Sequence, residues 1–262
     1  MNMDNILRTG ILAAHQGGEK IRSWFGSIET IGKKGAIDLV TDADTDSEEV
    51  IVRLIKERYP DHSILSEETG AIDGNPECRW IIDPLDGTTN FAHGLGIFAV
   101  SIAFEFRGRI QVGVVWNPIT CELFTAIKGQ GAELNGVKIH VSNAENVSDS
   151  LLATGFPYTI KNESESIFRR FSNCLRSSRG IRRLGSAALD LCFVGCGRFD
   201  GFWEQYLKPW DIAAGLLIAT EADGMATDFS NNPVLPDSNE ILVTNGKIHQ
   251  ELVSLLDIKD NT

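Results

Sequence analysis

Basic residues are scarce in this chain. Lys and Arg number 24 against 36 Asp and Glu, giving a formal net charge of −12 and a pI near 4.9. Non-specific nucleic-acid binding needs clustered Lys and Arg, so no direct nucleic-acid partner is expected. Cysteine shows no pairing pattern: Cys78, Cys121, Cys174, Cys192 and Cys196 are odd in number and contain no Cys-x-x-Cys. Cys192 and Cys196 stand four apart, and two small core hydrophobes are expected there rather than a redox or metal pair. The histidines, His15, His62, His93, His140 and His249, are scattered. That argues against a His-rich zinc site or a Ser-His-Asp hydrolase. No apolar run is long enough to span a bilayer, and Met-Asn-Met-Asp at the start lacks a basic leader. A soluble cytoplasmic protein without a membrane partner is the expectation. Internal repeats, low-complexity stretches and long linkers are also missing.

What is present is an ordinary globular composition over 262 residues, ample for a sizeable core. Ile6, Leu7, Ile11, Ala14, Ile21 and Trp24 mark a helix over about 5–25, weakened at Gly17-Gly18. A second helix is predicted from near Thr45, with Val50, Ile51, Leu54 and Ile55 as its apolar face and Glu48-Glu49 favouring its N-terminal end. Residues 98–106, 110–116 and 121–127 are rich in β-branched and aromatic residues, separated by turns, and read as antiparallel strands. Further on, strands are predicted at 151–154, 181–184, 199–203 and 241–243. Helices are predicted at 163–175, 187–194, 212–220 and 247–256. This interleaving predicts a layered α/β or α+β fold. The chain reads as a single unit, 1–262, and the polar stretch near 145–150 allows a division into 1–147 and 148–262.

The chemistry-bearing groups are carboxylates: Asp38 and Asp44, Glu67-Glu68, Asp83 with Asp86, and Asp211. Ser63-Ile64-Leu65-Ser66 runs into Glu67-Glu68, and Trp80-Ile81-Ile82 runs into Asp83. Carboxylates at strand ends project together at one sheet edge, where sites are commonly built. In Asp83-Pro84-Leu85-Asp86-Gly87-Thr88-Thr89, Pro84 fixes a dihedral and Gly87 permits a tight turn or a close ligand. Two carboxylates and the Leu85 carbonyl would then offer oxygen ligands suited to Mg²⁺, and the amides of Gly87 and Thr88 would face an anion if a helix begins there. Each group also has a plain structural reading. Asp-Pro and Asp-Gly are common turns, Glu67-Glu68 could be solvated surface, and Asp211 could simply cap the helix that follows it.

At these residues the sequence resembles the inositol monophosphatase family. The carriers are Trp80–Phe91, Trp210-Asp211-Ile212-Ala213-Ala214-Gly215 with Glu221-Ala222-Asp223-Gly224, Asp38-Leu39-Val40-Thr41 with Asp44, and Ser66-Glu67-Glu68. The resemblance covers the chain from about Lys33 to the last helix. It implies an αβαβα layered sandwich, usually a homodimer, and a lithium-sensitive, Mg²⁺-dependent phosphate monoester hydrolase. Glu67, Asp83 and the Leu85 carbonyl would bind a first Mg²⁺, and Asp83, Asp86 and Asp211 a second; two or three ions per site are implied. Asp44 and Thr88 would orient and deprotonate the attacking water, with Glu68 nearby. Asp86, Gly87, Thr88 and Asp211 would lie at the substrate, the Gly87 and Thr88 amides on its phosphate. Ser186, Ala187 and Glu204 would line its alcohol side. Inositol monophosphate is the expected substrate. Histidinol phosphate, fructose 1,6-bisphosphate, 3′-phosphonucleotides and NADP remain alternatives, as does a regulatory protein-binding role. His93 is expected at the rim or in a structural place. Asp223 replaces the family's usual glycine, Lys208 stands where some members carry histidine, and Lys33-Lys34 would lie on a loop over the site.

Overall fold

A computed structural model describes all residues except 27–30, 34–38, 158–159, 161–163, 235–237 and 259–262; the side chains of residues 31–33, 39–41 and 164 are also outside the description. In chain order the elements are α1 (Met3–Trp24), β1 (Ile31–Lys33), β2 (Leu39–Thr41), α2 (Asp42–Arg58), β3 (His62–Ser66), β4 (Gly70–Ile72), β5 (Asn75–Asp86) and α3 (Thr88–Ala92). Then come β6 (Ala99–Phe106), β7 (Arg109–Asn117), β8 (Glu122–Ile127), β9 (Gly131–Leu134), β10 (Val137–Lys138) and β11 (Leu151–Thr154). The chain continues with α4 (Ser164–Ser177), β12 (Gly180–Arg182), α5 (Ala187–Gly195), β13 (Gly201–Gln205), α6 (Pro209–Glu221), β14 (Met225–Thr227), β15 (Glu240–Thr244) and α7 (His249–Leu256).

Five layers result. An eight-stranded sheet has the order β10-β9-β8-β7-β6-β5-β3-β4, and a five-stranded sheet the order β12-β11-β13-β15-β14. Helices α1 and α2 pack together and cover one face of the larger sheet. The α5–α6 pair lies between the sheets, touching β5, β6 and β7 on one side and β13, β14 and β15 on the other. Helices α4 and α7 close the outer face of the smaller sheet. The expected αβαβα sandwich is therefore the observed one. Helices α5 and α6 are apolar nearly all round, as a helix between two sheets must be.

Two local differences from the sequence reading have clear causes. Helix α1 runs unbroken through Gly17-Gly18 because close packing needs them: a Cβ on Gly17 would lie 2.6 Å from Ile51, and one on Gly18 2.6 Å from Trp116. Helix α2 begins at Asp42 rather than near Thr45, so Asp42 and Asp44 fall in its first turn, where the helix dipole favours negative charge. No helix among the described residues is long and apolar enough to cross a membrane.

Candidate active site

The site grows from two parallel strands. β3 and β5 run side by side with Ser66 opposite Ile82, and the Glu67 amide donates to the Ile82 carbonyl at 3.1 Å. Glu67, just past the end of β3, and Asp83, where β5 runs on beyond its pairing with β3, therefore lie side by side, as the two apolar runs ending in acid predicted. Beyond that point β5 bulges. Asp83 faces Ser101 and Asp86 faces Ala99, so three steps on β5 oppose two on β6. Pro84 lies inside the bulge, where an absent N–H breaks no ladder bond. The Asp83 carboxylate accepts from the Leu85 amide at 3.0 Å, which holds the bulge from within.

Gly87 then turns the chain with φ of +99°, and a Cβ there would sit 2.9 Å from the Ile97 carbonyl oxygen. A side chain is barred by both conformation and space. The short helix α3 follows. Its Thr88 hydroxyl lies 3.1 Å from Asp44 Oδ1 and 3.1 Å from the Leu85 carbonyl, sharing its proton between them. Asp44 is fully buried at the start of α2. Asn90 of α3 donates to the Ile97 and Leu184 carbonyls at 2.8 and 2.7 Å, tying this turn to the segment before α5.

The smaller sheet and the central helices complete the pocket. Ser186 caps α5, and its hydroxyl donates to Asp86 Oδ2 at 2.5 Å; the Ala188 amide donates to the same oxygen at 2.8 Å. Asp211, in the first turn of α6, accepts from the Lys208 amide at 2.6 Å. It caps its helix, as one of its two sequence readings had it, and also lines the pocket. Glu204 arrives on β13. Together these residues line a cavity of about 490 Å³ that also takes in Leu85, Gly87, Thr88, Ala187 and Lys208.

Electrostatic strain concentrates here. Burial pushes the Asp83 carboxyl well above the usual range, and the charges of Glu67, Asp86 and Asp211 push it the same way. Burial raises Asp86 to about 6, against the hydrogen bonds from Ser186 and Ala188. Burial carries Asp211 to about 8, opposed by the Lys208 amide, and Glu204 to about 8, helped by the charge of Asp211. All the donors are hard oxygens, a set that suits Mg²⁺ or a similar cation. Among the described residues no three His, Cys, Asp or Glu side chains already stand as a chelate. Asp83, Asp86 and Asp211 are each turned toward a backbone amide. In donor chemistry and mutual repulsion the residues fit a cation.

Ten residues named from sequence as ligands or substrate contacts thus share one cavity, Glu67, Asp83, Leu85, Asp86, Gly87, Thr88, Ser186, Ala187, Glu204 and Asp211, and Lys208 lies in it too. Asp44 is off the wall and reaches it through Thr88. Glu68 does not line it; its amide is held by Glu48 at 3.2 Å. His93 is exposed and off the wall. Asp223 adopts φ of +71° and pairs with His140 at 2.8 Å, so it fills the glycine position in a left-handed conformation. Asp38 and Lys34 lie outside the described residues, as does the side chain of Lys33. Sequence reasoning passed over Glu48 as a contact. It is buried, and it accepts from the Glu68 and Thr69 amides and the Thr69 hydroxyl, fixing the turn that carries Glu67. Asn90, Arg183 and Asp190 were also missed.

The fold is a layered α/β sandwich with an acidic pocket. The chain belongs to the inositol monophosphatase family, whose model matches residues 2–260. An inositol-1-monophosphatase of Synechocystis sp. is 45% identical over 254 residues, covering 96% of this chain and 87% of the relative. A Nus factor SuhB of Pasteurella multocida is 41% identical over 255 residues, covering 96% of each. The crystal structure of the extragenic suppressor protein suhB from Bartonella henselae superposes with a TM-score of 0.93 at 38% identity, covering 97% of this chain and 98% of that one.

Proposed function

We propose that the chain hydrolyses phosphate monoesters with Mg²⁺, inositol monophosphate foremost. The observation that carries this reading is the convergence of Glu67, Asp83, Asp86 and Asp211 on one cavity beside the Thr88–Asp44 hydrogen bond. Glu67, Asp83, Asp86, Asp211 and the Leu85 carbonyl would hold the ions. Bound Mg²⁺ would offset the ester's negative charge and make a water acidic enough to attack near neutral pH. The chain's own part is positioning. The Thr88 hydroxyl points its hydrogen at Asp44 and the Leu85 carbonyl, leaving lone pairs to accept from a water. As that water attacks phosphorus in line with the ester oxygen, its proton passes through the Thr88 hydroxyl to Asp44. The P–O ester bond breaks, and the departing alkoxide takes a proton from solvent. The Gly87 and Thr88 amides hold the phosphate, while Ser186, Ala187 and Glu204 face the alcohol. The test is phosphate release from inositol 1-phosphate with and without Mg²⁺. A fall of at least about 10³-fold in Asp83→Asn is expected, since that residue serves both ions. No release by the wild-type chain, or release unchanged in Asp83→Asn, refutes the reading.

A second role, alongside the first, has its own observation. Six arginines and one glutamate fall within 164–183 of an acidic chain. Arg169, Arg176, Arg179 and Arg182 among them are exposed, on α4, β12 and the loop between them. Several relatives carry the name Nus factor SuhB. A local basic face of this kind suits an anionic partner despite the low pI. Rescue of a deletion strain by Asp83→Asn would support a role apart from hydrolysis, and failure to rescue would refute it.

A further inference from the structure

The cavity is acidic at its floor and apolar at its rim. Asp83, Asp86 and Glu204 are buried, whereas Phe156, Pro157, Tyr206, Leu207 and Trp210 line the same cavity and none of them is buried. β11 and β13 are parallel neighbours with Thr154 opposite Trp203, so Phe156 and Tyr206, just past their ends, reach the rim from one sheet edge. Tyr206 is 40% exposed. It leaves β13 with φ of +65°, its amide donating to the Asn239 carbonyl at 2.7 Å. Glycine adopts such a backbone freely, and a bulky side chain adopts it at a cost. Five other described residues that are not glycine share it. Asn135, Asp223 and Asn231 are of the types that tolerate it, and Arg107 and Cys121 turn between strands. Of the six, Tyr206 alone lines the cavity. A strained backbone in a bulky residue at a site is a pointer to function.

We infer that the Tyr206 ring packs against the leaving alcohol and makes the site prefer phosphates of ring alcohols to phosphates of open-chain polyols. This inference rests on the phosphatase reading. Cations and phosphate belong with the buried carboxyls, which leaves the carbon skeleton of the ester at the rim. A cyclitol presents a preformed face of C–H groups to an aromatic ring, and removing both surfaces from water favours the contact. An open-chain polyol presents less area at once and gives up rotamer freedom to present it. The tyrosine itself has only two side-chain torsions to order.

The test compares kcat/KM for inositol 1-phosphate and for glycerol 2-phosphate, with Mg²⁺, in the wild-type chain, Tyr206→Gly and Tyr206→Phe. In Tyr206→Gly the ratio of the two constants is expected to fall at least about fivefold, carried mostly by KM, since the contact is made alike in ground and transition states. The melting temperature of that variant is expected to hold or rise, because glycine takes the left-handed backbone without strain. Tyr206→Phe keeps the ring, and its ratio is expected within about twofold of wild type. A fall in Tyr206→Phe as large as in Tyr206→Gly would assign the effect to the hydroxyl and overturn the ring contact. A merely structural residue would lower both rates and the melting temperature together and leave the ratio within about twofold, which also overturns the inference. Should Tyr206→Gly fail to fold, Tyr206→Asn, a type that tolerates the same backbone, is measured against the same ratio. No release from either ester by the wild-type chain overturns the phosphatase reading and this inference with it. Release from both with a ratio unmoved by loss of the ring overturns this inference alone.

Discussion

Glu204 gives the sharpest quantitative expectation. Burial raises its pKa from 4.5 to about 8, with Asp211 and Asp86 adding to the shift and Arg183 opposing it. A carboxyl with a raised pKa binds its proton more tightly in the folded state than in the unfolded one. Its contribution to stability is therefore largest at low pH and is lost as pH rises from 4.5 to about 8, with no further loss above. Between pH 6 and 8 the folded group is protonated on average by about 0.85 and the unfolded group by almost nothing. At 1.36 kcal/mol per pH unit, this one side chain removes about 2 kcal/mol of stability over that interval. In a chain of this size that corresponds to about 4–8 °C in melting temperature. Glu204→Gln has no proton to lose. The stability gap between variant and wild type should thus widen in the variant's favour by about 2 kcal/mol from pH 6 to pH 8. His62 and His249, whose pKa values burial lowers, gain stability as pH rises, but they are common to both proteins and cancel. Urea unfolding of EDTA-treated protein, followed by tryptophan fluorescence, measures the gap at the two pH values. A gap that changes by less than about 0.5 kcal/mol would refute the assignment of Glu204 as a desolvated, titrating carboxylate.

Gly155→Ala should expel the Glu204 carboxylate from its seat, since the new methyl occupies that space. The expected reading is a fall of about tenfold in kcat/KM for inositol 1-phosphate, carried mostly by KM. Asn90→Ala leaves the Ile97 and Leu184 carbonyls without their donor. Denaturant titration should show a loss of about 2–4 kcal/mol, and a loss below about 0.5 kcal/mol would mean the tie between α3 and the α5 segment is dispensable.

The parts of the site legible in sequence are those whose signal is local. The apolar run into Glu67 announced the end of β3, while the run into Asp83 announced β5 but not its continuation to Asp86; the hydrogen bond from the Glu67 amide to the Ile82 carbonyl shows why the two acids converge. Helix α6 was readable from Ile212–Thr220 and runs from Pro209 to Glu221. Longer-range features left no such trace. The bulge between Asp83 and Asp86 exists because β5 pairs with β6, and nothing within the segment counts residues on the partner strand. Glu48 sits on a helix whose charges all look like surface, and becomes a clamp only because the 68–69 turn lies against it. Asp190 stands in Ala-Ala-Leu-Asp-Leu-Cys, where apolar neighbours predict a helix and hide the one acid facing a cavity. Strand β13 was expected at 199–203 and lies at Gly201–Gln205. Asp200 is held outside the strand, its carboxylate accepting from Ser142 and the Leu151 amide.

The same features explain why the site opposes the fold that holds it. Among the described residues, six carboxyls line the cavity, Glu67, Asp83, Asp86, Asp190, Glu204 and Asp211, against two cations, Arg183 and Lys208. A core chosen for stability alone would not gather like charges there, since burying them costs several kcal/mol per ion even after relaxation. Glu67 and Asp83 are placed by strand pairing, Asp86 by Ser186 and Ala188, and Asp211 by its own helix, so the backbone imposes the repulsion at every point. The rigidity of those supports means the carboxylates have little freedom to move apart. A cation binding the folded chain and not the unfolded one returns stability in proportion to its concentration, about 2.7 kcal/mol at a hundred times its Kd. Binding of this kind strengthens as the carboxylates ionise, so the Mg²⁺-dependent rise in melting temperature should be greater at pH 8 than at pH 6, the reverse of the trend expected from the carboxylates alone. A pH-independent rise would place the cation elsewhere on this acidic chain. A larger rise at pH 8 that disappears in Asp83→Asn would tie it to the strand ends where Glu67 and Asp83 meet.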